Sequence, residues 1–119
     1  MNMNTRQAGN VTIVDVSGRI ELGPESAGLR DLIVYLLEQG HKKILLNLAE
    51  VDYIDSMGLG YLVGSFTSVR KQGGEMKLLN LTNKIHDLLQ ITKLYTVFDI
   101  ADNEASALQS FNQSAAASA

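Results

Sequence analysis

Hydrophobic and polar positions in this chain switch repeatedly between strand-like runs and helical stripes. Val11, Ile13, Val14 and Val16 crowd β-branched residues into a short run without strict alternation, which predicts a strand. Ala8-Gly9-Asn10 ahead of it is a turn signal, and Asn4 to Gln7 supply a partner strand, so an N-terminal hairpin is expected. Ser17-Gly18 should end the strand. Pro24 and Glu25, after Gly23, mark a helix start. Leu29, Leu32, Ile33, Leu36 and Leu37 then form one apolar stripe. Gly40 ends that helix, and Lys42 and Lys43 stand where they favour its negative end.

The second half repeats the alternation. Ile44-Leu45-Leu46-Asn47-Leu48 is nearly continuous in apolar residues and predicts a strand covered on both faces. A helix over roughly residues 57–72 buries Leu59, Leu62, Val63, Phe66 and Val69, with Arg70 and Lys71 in its last turn. Met76 to Leu81 predicts another strand. Thr82 or Asn83 caps a short helix holding Ile85, Leu88 and Leu89. Tyr95 to Ile100 predicts a further strand, and Asp102 caps a last helix with Ala105, Leu108 and Phe111 inside. Strands alternating with helices imply one α/β domain, placed at residues 1–113. Ser114 to Ala119 is expected to be a disordered Ser/Ala tail.

Composition narrows the chemistry. With 119 residues the chain suits one domain, and with no Cys it has no disulfide, thiolate metal site or cysteine nucleophile. His41 and His86 are far apart in sequence, so a metal site would need carboxylates alone, and none is expected. A net charge of -3 with only short basic clusters argues against nucleic-acid binding. The polar N-terminus predicts no secretory signal, and the longest apolar run, Ile33 to Leu37, falls far short of the ~20 residues that span a bilayer. A cytoplasmic protein is expected.

The informative segment is Val51-Asp52-Tyr53-Ile54-Asp55-Ser56-Met57-Gly58-Leu59-Gly60, between a buried strand and a helix. Asp55 and Ser56 are both capping residues, so either can satisfy the first free amides. Ser56 then sits at the positive end of a helix, which favours an anionic group. Gly58, Gly60 and Gly64 each cost up to about 1 kcal/mol in a helix relative to Ala. Close packing on the sheet offsets that cost, or close approach of a partner does. Asp52 and Asp55 make the surroundings acidic. A phosphate on Ser56 would bring about -1.5 to -2 further charges. The physics permits a binding switch there, although a plain capping role is by far the commoner one for a serine at a helix start.

This segment resembles the STAS domains of bacterial anti-sigma factor antagonists. The resemblance rests on Asp55-Ser56-Met57-Gly58-Leu59-Gly60 after Leu46-Asn47-Leu48. Ser17-Gly18-Arg19-Ile20-Glu21, Gly73-Gly74-Glu75-Met76-Lys77-Leu78 and Ile85 to Leu94 match flanking elements, so the likeness covers about residues 5–111. It implies a single STAS-like domain, with a mixed β-sheet and helices packed mainly on one face. It implies a partner-switching regulator without cofactor or enzymatic activity. In such a regulator the unphosphorylated form binds an anti-sigma factor, a serine kinase of the histidine-kinase-like ATPase type, and so frees the sigma factor. The kinase phosphorylates the serine matching Ser56, and a PP2C-type phosphatase restores the active form. Glu21, Asp52, Asp55, Met57, Gly58 and Gly60 become the partner-binding surface. Two positions depart from the pattern. Glu21 stands where many members have Asp, and Met57 where Ser or Ala is commoner. Met57 either faces a partner as an adaptable apolar contact or packs inward.

Rival readings have less behind them. A serine nucleophile would need a histidine base, and no G-x-S-x-G elbow surrounds Ser56. The glycines match neither G-x-x-x-x-G-K-[ST] nor G-x-G-x-x-G, which argues against nucleotide binding. A STAS scaffold with a non-sigma output, or one in a stress-sensing assembly, stays open.

Overall fold

The chain first reverses at Gly9-Asn10, where Gly9 takes φ 61°, a conformation that glycine adopts without strain. The computed structural model describes the backbone of residues 1–118 and the side chains of residues 1–111. The reversal joins β1 (Asn2–Ala8) to β2 (Val11–Ile20) as an antiparallel hairpin. There follow α1 (Pro24–Glu38), β3 (Lys43–Ile54), α2 (Ser56–Lys71), β4 (Glu75–Leu79), α3 (Asn83–Ile91), β5 (Asp99–Ala101) and α4 (Glu104–Ser118). The sheet order is β1-β2-β3-β4-β5, with every pair after the hairpin parallel. The expected mixed sheet is therefore found.

Both faces of the central strands are covered. Val14, Val16, Ile20, Ile44, Leu46 and Leu48 pack under α1, α2 and α3, against Leu29, Ile33, Leu62, Val69, Ile85 and Leu89. Val11, Ile13, Leu45 and Leu79 meet Ala107 and Phe111 of α4 on the opposite face. Double burial explains why β2 lacks alternation: successive residues enter different cores. Phe98 fills the end of the larger core and meets Phe66 edge-on, with ring centroids 5.3 Å apart.

Several boundaries differ from the sequence reading. β2 does not stop at Ser17-Gly18. Its ladder shifts register between Asp15 and Ser17 and again between Gly18 and Arg19, and Gly18 has φ 102°. The glycine marks an irregularity inside the strand rather than its end. β3 likewise runs past Leu48 to Ile54, because β2 continues beside it. β5 is only Asp99–Ala101, since Tyr95, with its amide donating to the Leu89 carbonyl at 3.1 Å, belongs to the turn after α3. Asn103, not Asp102, caps α4 by accepting from the Ser106 amide at 2.9 Å. Ala107 takes the inward place expected of Ala105, which is exposed. Lys42 serves a different helix from the one expected: its Nζ donates to the Gln72 carbonyl at the end of α2, at 2.8 Å. Thr82 caps α3, accepting from the Ile85 amide.

The backbone of α4 continues to Ser118, and the side chains beyond Phe111 lie outside the described residues. The expected Ser/Ala tail over residues 114–119 falls there. Among the described residues no helix is long and apolar enough to cross a membrane.

Candidate functional site at the start of helix α2

The parallel ladder of β2 and β3 ends at the pair Ile20–Ile54, and the site is built on that last rung. The Asp55 amide donates to the Ile20 carbonyl at 3.2 Å, extending the ladder by one bond. Asp55 is extended (φ -92°, ψ 179°) and is the cap of α2. Its two carboxylate oxygens do different jobs. Oδ1 accepts from the Gly58 amide at 2.7 Å, and Oδ2 accepts from the Leu22 amide at 3.1 Å. One carboxylate thus closes the helix end and fastens the β2–α1 loop beside it. These backbone donors, Gly58 foremost and Leu22 next, hold the Asp55 carboxyl below the usual carboxylate range, and the Arg19 charge adds to them.

With Asp55 as cap, Ser56 is the first residue inside the helix. It is exposed, and its hydroxyl makes no hydrogen bond to protein among the described residues. The free amides of the first turn give its surroundings positive potential.

The glycines divide between the two explanations. Gly58 is buried, and a Cβ there would collide with the Ile20 carbonyl. Gly58 therefore serves close packing of helix on strand. A Cβ at Gly60 or Gly64 would meet nothing within 4 Å. Gly60 is on the exposed side of α2, where it leaves the surface low and open.

Apolar side chains stand out around Ser56. Leu22 is 66% exposed, Met57 50% and Tyr53 39%. Met57 thus faces outward. Arg19 covers Tyr53, its guanidinium carbon 4.1 Å from the ring centre, and its Nε donates to Glu21 at 3.2 Å. Arg19 and Leu22 line one hollow of about 270 Å³ with Pro24 and Glu25. Tyr53 lines another of about 260 Å³ with Lys84, Ile85 and Leu88.

Of the residues singled out in the sequence, Glu21, Asp55, Ser56, Met57, Gly58 and Gly60 gather at this end of the sheet. Glu21 is held by its own amide, which donates to Ser26 Oγ at 2.9 Å. Asp52 is exposed on β3 and is not brought into hydrogen-bond contact with Ser56. His41 lies elsewhere, its Nδ1 3.1 Å from Thr12 Oγ1, and His86 stacks edge-on against Tyr95 at 4.9 Å. Neither forms a base for Ser56. Among the described residues no three His, Asp or Glu side chains cluster to hold a metal. Sequence reasoning missed Arg19, Leu22 and Tyr53 as site residues. A lone Leu beside Gly23-Pro24 in a polar loop was the available signal for Leu22.

Comparison with known proteins settles the family. The model of the STAS domain matches residues 2–107. The chain belongs to the STAS domain family. It is 37% identical over 109 residues to the anti-sigma-B factor antagonist of Bacillus subtilis, covering 92% of this chain and 98% of that one. Its structure is similar to the crystal structure of a candidate anti-sigma factor antagonist from Thermotoga maritima, with TM-score 0.78 and 26% identity over 91% of this chain and 92% of that one. The same fold is seen in the phosphorylated form of the Bacillus cell fate determinant SpoIIAA, with TM-score 0.70, 18% identity, and 92% and 99% of the two chains covered. In this STAS domain the Asp55-Ser56 pair occupies the junction of the longest strand with the helix that follows it.

Proposed function

We propose that this STAS domain is an anti-sigma factor antagonist whose hold on its partner is set by the phosphorylation state of Ser56. The observation that carries this reading is an exposed, unengaged serine at the first position of α2, amid the exposed side chains of Leu22, Tyr53 and Met57. The relatedness to the anti-sigma-B factor antagonist of Bacillus subtilis supports it. The partner is an anti-sigma factor that is also a serine kinase of the histidine-kinase-like ATPase type. The apolar side chains and the open surface at Gly60 supply the contact in the unphosphorylated form. Glu21, Asp55 and Asp52 give that face its acidic character.

The kinase transfers the γ-phosphoryl group of ATP to Ser56 Oγ. The O–P bond forms as the bond to the ADP leaving group breaks, and the hydroxyl proton passes to a base on the kinase. The added charge is about -1.5 to -2. The amides at the start of α2 tolerate it, so the fold stays intact. A docked partner does not, because the added negative charge falls on a face that Asp55 and Glu21 already make acidic. A penalty of about 3 kcal/mol weakens binding on the order of 100-fold. A PP2C-type phosphatase then hydrolyses the phosphoserine and restores binding. This chain's own part takes place in the cytoplasm and calls on no cofactor, nucleic acid or membrane.

The test is incubation with ATP and the kinase encoded near this chain, followed by mass-spectrometric mapping. Phosphate at Ser56, with partner binding lost in Ser56→Asp and retained in Ser56→Ala, is the expected result. Phosphate on another residue, or undiminished binding by Ser56→Asp and Ser56→Glu, overturns the reading.

A further inference from the structure

Arg19 lies near the end of the β2–β3 ladder, one residue before the strand end that anchors the start of α2. Its Cα pairs with Tyr53 across the ladder, and the next residue, Ile20, accepts the Asp55 amide at 3.2 Å. The Arg19 backbone therefore stands one residue from the bond that anchors the start of α2. Its side chain is only lightly committed. The contact to Glu21 is a single bond of 3.2 Å, and the two side chains are 55% and 42% exposed. Exposed ion pairs of this kind contribute little to stability. The stack on Tyr53 at 4.1 Å is likewise at the surface. The Arg19 charge already reaches Asp55, the neighbour of Ser56.

We propose that Arg19 is the group that receives a phosphate placed on Ser56, exchanging Glu21 and the Tyr53 ring for the phosphate oxygens. A phosphate offers three acceptor oxygens and about twice the charge of a carboxylate, and the guanidinium fork suits it bidentately. The exchange has a consequence for docking. Tyr53 loses the cation that covers it, and Glu21 is left unpaired on the same face. Phosphorylation then alters the shape of the docking ridge as well as its charge. The inference rests on Ser56 being the modified residue. It goes further in naming the residue of this chain that reads the modification. Lys84, which lines the hollow on the far side of Tyr53, is the competing cation.

The experiment installs phosphoserine at position 56 by genetic encoding, without any kinase, and titrates it by ³¹P NMR. In the otherwise unaltered chain the second phosphate pKa should lie about half a unit or more below that in Arg19→Gln. Lys84→Gln should leave it unchanged. The Arg19 Nε–H signal should move as the phosphate gains its second charge. Equal phosphate pKa values with and without Arg19, or a shift removed by Lys84→Gln instead, overturns the proposal. A failure of kinases to modify Ser56 would defeat the proposed switch but would leave this titration readable, so the two can fail separately.

Discussion

The carbonyl oxygen of Ile20 fills the space that a side chain at Gly58 would need. That carbonyl also accepts the Asp55 amide, so it cannot move away without loosening the cap of α2. Gly58→Ala should therefore destabilise the protein by about 1–3 kcal/mol, the range for forced overpacking. A urea-unfolding midpoint well below that of the unaltered chain is the expected measurement.

Gly60 gives the opposite expectation. An added methyl meets open space, and alanine is the better helix former by about 0.5–1 kcal/mol. Gly60→Ala should raise the unfolding midpoint. If a partner approaches closely over this surface, the same variant should bind it more weakly. Calorimetric titration with the anti-sigma partner would show a more stable protein with poorer affinity.

Asp55→Ala removes the cap of α2 and the tether to the Leu22 amide together. Loss of the capping side chain lowers the stability of the helix start, and the loosened loop adds to it. Amide hydrogen exchange should rise at Gly58 and at Leu22 in the same variant. A rise at Gly58 alone would mean that the loop is held by other contacts.

Stability should also fall in acid through Asp15. Arg6 hydrogen-bonds its carboxylate at 2.7 Å and 3.2 Å, and Asn47 Nδ2 adds a third bond at 2.8 Å. The Arg6 bonds above all hold the Asp15 carboxyl below its usual value. A lowered folded-state pKa means stabilisation that is complete above the ordinary carboxylate range, about 4, and is lost as pH falls through the folded value. Asp15→Asn should therefore be less stable than the unaltered chain at pH 7, with the gap closing toward pH 3. Urea midpoints at stepped pH would show the convergence.

Phe111 is the largest side chain that α4 lays on the sheet, fully buried beside Val11, Ile13, Leu45 and Leu79. Lys77 is buried with it, its Nζ 4.9 Å from the ring and 2.8 Å from Ser110 Oγ. Phe111→Ala should cost about 3–5 kcal/mol. Thermal unfolding would report the loss, and binding of an apolar dye below the transition would report the uncovered sheet face.

The order of strands and helices was legible because each element carries its own period, as in the Leu29-to-Leu37 stripe and the Ile44-to-Leu48 run. The second half of β3 was not. Glu50, Asp52 and Tyr53 are exposed there, so the segment has the composition of a loop. It is a strand only because β2 supplies its hydrogen bonds. Lys42 shows the same dependence: the helix end it serves, 30 residues away at Gln72, is settled by packing between distant segments. At the site, the contiguous run Asp55 to Gly60 was readable as one motif. For Leu22 the only signal was a lone Leu in a polar loop, and its tie to the site, a hydrogen bond across 33 residues to Asp55, was not readable. Arg19 was equally unreadable, since only parallel pairing puts it over Tyr53.

Leu22, Tyr53 and Met57 have a further property in common. The Leu22 amide is held by Asp55, Tyr53 belongs to the β2–β3 ladder, and Met57 lies in the first turn of α2, while all three side chains point to solvent. What fixes the position of this face is therefore main chain, and under the proposed function what gives it an address is side chain. The two can vary independently. Duplicated copies of such a domain in one cell can acquire separate partners by exchanging three or four surface residues, including ones that repel the wrong partner, with little effect on folding. One scaffold can thus serve several insulated signalling lines.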